Sequence, residues 1–157
     1  YVLLQDGIED FLGELKQEVF DKYDMMTVAE VSVPEDKVEK YTGENGLFSM
    51  VFDFTYTDLD VHRINGLEWK RPWTYAELKN NIMLSQEILQ ATQTGEVISG
   101  NHDQCRSVNK YIPAEKIGYE SKTALGALYF FLRGTPFIYQ GQEIGMEIIR
   151  LRILQNP

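Results

Sequence analysis

Residues 99–106 read SGNHDQCR, placing a histidine directly beside a carboxylate and an arginine three residues further on. A turn of this kind could form the rim of an active site. Asp103 would hold hydroxyl groups or steady developing positive charge, His102 would donate a hydrogen bond, and Arg106 would serve as a charge partner. A solvated polar turn has the same composition, and polar density tilts the balance toward a site only modestly. A second group of interest is Glu30, an acid set among Met25, Met26, Val28, Ala29, Val31 and Val33. Apolar surroundings desolvate a carboxyl and raise its pKa, the condition for donating a proton near neutral pH. On pattern alone the commoner outcome for such a lone acid is an edge position facing water.

Other chemistries find less support. The only other histidine, His62, lies far from His102, and no spacing matches a zinc or EF-hand motif. No metal or other cofactor is expected. Serine hydrolysis lacks its G-x-S-x-G elbow. Cys105 stands close to His102, but neighbouring side chains on an extended segment alternate faces, which disfavours a thiol–imidazole pair. Gly134, Pro136, Tyr139, Gly141 and Glu143 read by spacing as structure rather than chemistry: Gly134 ends a helix, Pro136 begins a strand and Gly141 permits a tight turn. Trp69, Trp73 and Tyr75 could stack on sugar rings, although aromatics at such spacings more often pack.

The elements that must position these residues can be read from apolar spacing. Residues 6–20 place Ile8, Phe11, Leu12, Leu15 and Val19 on one helical face, with Asp6 and Glu9 spaced as a capping box. Residues 25–33 and 48–55 read as strands, and Thr74 with Glu77 opens a helix carrying Leu78, Ile82, Ile88 and Leu89. A weaker strand over 96–100 precedes the NHD residues. A further helix carries Ala124, Leu125, Leu128, Phe131 and Leu132, ends at Gly134, and leads into an apolar strand over 135–141. Strands alternating with helices predict parallel βαβ units and an α/β fold. The polar connection from Thr57 to Trp73 is long enough to arch over a site or to be a variable surface loop. In parallel α/β sheets ligands gather at the carboxyl ends of strands. Three such ends carry polar groups: Glu30, then Asn101 with His102 and Asp103, then Tyr139, Gln140, Gln142 and Glu143.

The 157 residues include 43% apolar and 25% charged residues, ordinary for a folded globular chain. A net charge of -9 excludes a phosphate-tracking nucleic-acid binder, which needs a basic face. No apolar run approaches the roughly 20 residues that cross a bilayer, so no membrane partner is expected. A single cysteine, Cys105, forms no intramolecular disulfide and suits a cytoplasmic setting.

The segments MMTVAE (25–30), SMVFDFTYTDLD (49–60), NHDQCR (101–106) and RGTPFIYQGQEIGM (133–146) resemble the α-amylase superfamily, within it the oligo-1,6-glucosidase and α-glucosidase group. They occur in the family's order, and the similarity runs over residues 6–146. The resemblance implies a TIM (β/α)8 barrel of which this chain supplies the carboxyl half, strands five to eight, as one partial catalytic domain over 1–157. It implies that Glu30 is the general acid/base, Asp103 the transition-state-stabilising carboxylate, and His102 and Arg106 substrate-binding residues. The implied substrate is an α-linked gluco-oligosaccharide. Ala29 replaces the glycine that usually precedes the acid/base, and Cys105 replaces the usual proline of the NHDQPR pattern. Residues 147–157 leave the pattern and stay unassigned.

Retaining glycosidases need two carboxylates about 5 Å apart, one of them a nucleophile. In this superfamily the nucleophile lies in an R-x-D motif, and none of Arg63, Arg71, Arg106, Arg133, Arg150 or Arg152 is followed two residues on by aspartate. The expectation is a fragment that is inactive alone, lacking the amino-terminal half of the barrel and prone to self-association through exposed sheet edges. A transferring isomerase, a trehalose-phosphate hydrolase and a non-catalytic sugar-binding homologue are the alternatives.

Overall fold

The computed structural model describes residues 5–31, 37–43, 45–64, 67–92, 96–98 and 100–149. They fall into two units, one formed by residues 1–98 with 132–136, the other by 99–131 with 137–157.

The first unit opens with helix α1 (Ile8–Glu18). Its capping box does not form. Gly7 takes the cap position in a left-handed conformation (φ 83°), and no side chain caps the helix. Glu9 instead receives the Lys40 ammonium at 2.8 and 3.1 Å. Strand β1 (Val28–Ala29) pairs in parallel with β2 (Met50–Val51), in the register Val28 to Met50 and Ala29 to Val51. Both are shorter than the apolar runs that announced them, and residues 32–33 lie outside the described residues. Ala29 and Val51 are buried with Tyr41, which ends the short helix α2 (Val38–Tyr41), and Leu12, Val31, Val38, Leu47 and Phe48 pack around them.

The connection expected as a loop over 57–73 contains an antiparallel hairpin, β3 (Val61–Ile64) with β4 (Leu67–Lys70). Alternation in VHRINGLEWK is weak, so its strands do not stand out from a polar loop. Lys70 reaches back to Asp60 at 2.6 Å, and the Arg71 amide donates to the Asp60 carbonyl at 2.9 Å, closing the hairpin's base. Helix α3 (Tyr75–Thr92) follows, and here the capping box does form. The Thr74 amide donates to Glu77 Oε2 at 2.7 Å while the Glu77 amide donates to Thr74 Oγ1 at 3.2 Å. Leu78 and Leu89 of α3 are buried as the spacing predicts. Strand β5 (Glu96–Ile98) pairs with β6 (Thr135–Phe137). The Gln86 side-chain amide grips the backbone of Arg133 from both sides, at 2.7 and 3.1 Å, fixing the entry to β6 against α3.

The second unit carries helix α4 (Ser107–Tyr111), with Ser107, Val108 and Tyr111 buried, and helix α5 (Tyr119–Phe131). The stripe predicted to pack from α5 does so only in part: Leu128 and Phe131 are exposed while Tyr129 is buried. YESKTALGALYFF is apolar around much of its circumference, so spacing alone does not tell which face is covered. α5 ends at Phe131, ahead of the Gly134 expected to stop it, and Gly134 takes a left-handed φ of 128° before β6. A tight turn runs over Tyr139–Met146.

Candidate active site

Glu30 follows β1 directly, in the first unit. Because β1 and β2 are parallel, Glu30 emerges at the same sheet end as Asp53. The Phe52 amide, one residue before Asp53, donates to the Ala29 carbonyl at 3.0 Å, so the backbone beside Glu30 is pinned. Glu30 is itself exposed to solvent, and Met25, Met26, Val28, Ala29 and Val31 do not enclose it. Its carboxyl is therefore open to a ligand approaching the sheet end.

Asp53 is engaged differently. One carboxylate oxygen accepts the Thr55 amide at 2.8 Å, and the other accepts the hydroxyl of Ser85, a fully buried residue of α3. Asn81 of the same helix donates to the Thr55 carbonyl at 3.3 Å. This network holds the end of β2 against α3, and sequence reasoning missed it. The signal was present: Asp53 interrupts an apolar run just as Glu30 does.

In the second unit the NHD residues form an exposed turn past β5. The Asp103 amide donates to Asn101 Oδ1 at 3.0 Å, an Asx turn that fixes the backbone beneath the carboxylate. His102 Nε2 lies 3.4 Å from Asp103 Oδ2, and both side chains are about two-thirds exposed or more, at 72% and 67%. The turn thus presents a nitrogen donor and a carboxylate acceptor to solvent side by side, a pairing suited to sugar hydroxyls.

Arg106 is half-buried and points into its own unit. Its Nη1 donates to the Gln140 carbonyl at 2.5 Å, Nη2 meets Met146 Sδ at 3.1 Å, and Cζ stands 4.7 Å from the centre of the Tyr139 ring. A small cavity beside it is lined by Gly100, Cys105, Ser107, Tyr139, Gln142 and Met146. Cys105 is a half-buried free thiol. Trp73 and Tyr75 meet edge to face at 5.4 Å, so that pair packs, while the Trp69 side chain lies outside the described residues. Among the described residues no group of histidine, cysteine and acid side chains could hold a metal ion, and no helix is long and apolar enough to cross a membrane.

Two carboxylates and an imidazole, each exposed past the end of a strand, give proton-transfer and hydroxyl-binding capacity. The alpha amylase catalytic-domain model matches residues 3–155. The chain is 34% identical to an oligo-1,6-glucosidase of Parageobacillus thermoglucosidasius, over 99% of this chain and 28% of that protein. The structure resembles Bacillus licheniformis trehalose-6-phosphate hydrolase (TM-score 0.77, 33% identity), covering 90% of this chain and 26% of that one. It also resembles a MutB mutant crystallised with the substrate sucrose (TM-score 0.83, 27% identity), covering 96% of this chain and 27% of that one. The chain thus spans about a quarter of the length of the relatives it matches. These neighbours are α/β-barrel enzymes, so the α/β class expected from alternating strands and helices holds. The match over nearly its whole length makes this chain a member of the alpha-amylase catalytic-domain family.

Proposed function

We propose that this chain is the carboxyl half of an α-glucosidase-type catalytic barrel, strands five to eight, acting on α-linked gluco-oligosaccharides in the cytoplasm. Glu30 protonates the glycosidic oxygen, Asp103 steadies positive charge at the sugar in the transition state, and His102 binds a sugar hydroxyl beside it. Arg106 supports the turn that carries His102 and Asp103. The observation that carries this reading is the exposure of Glu30 and Asp103, each just past the end of a strand, in a chain whose motifs follow the family's order. Active-site carboxylates at strand ends are how barrel enzymes build their sites.

The missing R-x-D carboxylate supports a second proposal, that these residues alone do not turn over substrate. Without a nucleophile no glycosyl-enzyme forms, whatever Glu30 and Asp103 do. Pure 157-residue chain should leave an aryl α-glucoside intact; turnover that disappears with Glu30→Gln would overturn the inactivity. A longer reading frame carrying R-x-D should hydrolyse it, and should lose that activity with Glu30→Gln or Asp103→Asn. Sugar binding without hydrolysis in that longer protein would favour the non-catalytic reading. The likeness to a trehalose-6-phosphate hydrolase keeps that specificity open, and comparing isomaltose, sucrose and trehalose 6-phosphate as substrates decides it, with transfer products marking an isomerase. As an isolated chain it self-associates through uncovered sheet edges, which sedimentation across a concentration series tests.

A further inference from the structure

We propose that Arg106 is a positioning residue, which fixes the turn bearing His102 and Asp103 by clasping the Tyr139–Met146 turn and does not itself touch the sugar. The functional half of this inference rests on the sugar-site reading above. A guanidinium recognises ligands through its planar fork of donors and through its faces. In Arg106 both Nη groups and one face have partners within the unit: Nη1 on the Gln140 carbonyl, Nη2 against Met146 Sδ, and Cζ 4.7 Å from the centre of the Tyr139 ring. The residue is thus committed inward, while His102 and Asp103 face solvent.

What it grips is stiff. The Gln142 amide donates to the Tyr139 carbonyl, the Gly145 amide to the Gln142 carbonyl and the Met146 amide to the Gly141 carbonyl, all at 2.9 Å. The Gln142 side chain folds back to accept the Tyr139 amide at 3.0 Å. Gly141 sits at φ +83°, and a Cβ there would come within 2.9 Å of Met146. On the other side, the Arg106 carbonyl accepts the Asn109 and Lys110 amides at 2.9 and 3.0 Å, tying Arg106 to α4, whose Ser107, Val108 and Tyr111 are buried. Arg106 is therefore a bolt between a rigid helix start and a rigid turn, three residues from Asp103. Lysine cannot replace it, since a compact ammonium lacks the planar fork whose two Nη groups reach Gln140 and Met146 while Cζ stands over Tyr139.

Two readouts that do not depend on turnover test this on the 157-residue chain: the NMR signals of the His102 ring and the rate at which Cys105, beside the clasp, reacts with a soluble disulfide reagent. Arg106→Met and Arg106→Lys should shift the His102 signals, leave those of His62 in place, and speed Cys105 labelling about tenfold. Tyr139→Leu with Met146→Ala, which leaves Arg106 intact, should do the same. Isomaltose affinity measured by calorimetry should fall about tenfold in both, with little further loss when they are combined, because coupled residues are not additive. Unchanged His102 signals and labelling would overturn the clasp. So would movement of His62 as well, which marks general loss of fold. An affinity loss confined to the Arg106 variants, with His102 unmoved, would make Arg106 a direct sugar contact. Should the unsubstituted chain bind no isomaltose while the His102 and Cys105 effects appear, the sugar-site reading fails and the clasp stands.

Discussion

The buried Ser85 hydroxyl donates to the Asp53 carboxylate, so a residue midway along α3 holds the chain where it leaves β2. The same carboxylate takes the Thr55 amide at 2.8 Å, so each of its oxygens holds a partner. Two acids leave neighbouring parallel strands at one sheet end, and their surroundings separate them. Asp53 is spent on structure, while Glu30 stays open.

Removing the Ser85 hydroxyl leaves the carboxylate without one of its donors in a part-buried site. Hydrogen bonds to a charged group contribute about 1.5–3 kcal/mol, and Ser85→Ala should destabilise the chain by an amount in that range. Urea unfolding followed by circular dichroism checks it, and a change below about 0.5 kcal/mol would show the bond to be dispensable.

The opposite pattern is expected at the NHD turn. His102 and Asp103 are mostly exposed, at 72% and 67%, and exposed ion pairs contribute little. Asp103→Asn should change stability by less than about 0.5 kcal/mol while lowering isomaltose affinity about tenfold or more. Paired unfolding and calorimetry experiments would reveal a structural role if both quantities moved together.

The start of α3 should respond to acid. The hydrogen bond from Arg71, followed by those from the Thr74 amide and hydroxyl, holds the Glu77 carboxyl below its ordinary value of 4.5. Arg71 Nη1 stands 2.9 Å from Glu77 Oε1. A depressed carboxyl pKa means that protons bind the unfolded chain more readily, so the network's contribution is complete above pH 4.5 and is lost as pH falls through the lower folded value. Chemical shifts of the Thr74 and Glu77 amides should therefore titrate together below pH 4.5, and Glu77→Gln should abolish that step.

How much of this was legible in the sequence depends on where the controlling interactions lie. The α3 capping box and the turn at Gly141 follow from rules spanning a few residues, and the parallel pairing of β1 with β2 from the alternation of strands and helices; each appears in the structure. The Asp6–Glu9 box obeys the same spacing and fails, because Lys40, distant in sequence, competes for Glu9. The β3–β4 hairpin was hidden by weak alternation, and the covered face of α5 by an excess of apolar residues. At the candidate site, residue types and the family's motif order named Glu30, His102, Asp103 and Arg106. Only coordinates show that Arg106 points inward, since its partners lie 34 and 40 residues away.

Glycine substitutions separate strain from propensity within the second unit. Gly141 lies at φ +83°, with its would-be Cβ 2.9 Å from Met146, so alanine there must adopt a left-handed backbone and displace a side chain. Gly141→Ala should cost about 1–3 kcal/mol. Gly126 is in the body of α5, and a Cβ added there meets nothing within 4 Å. Gly126→Ala should stabilise by about 0.4–1 kcal/mol, because alanine loses less backbone entropy on entering a helix. If Arg106 clasps the Gly141 turn as proposed, Gly141→Ala should also speed Cys105 labelling, and Gly126→Ala should leave it unchanged. Thermal unfolding and thiol labelling of both variants distinguish a local release of the turn from a general loss of stability.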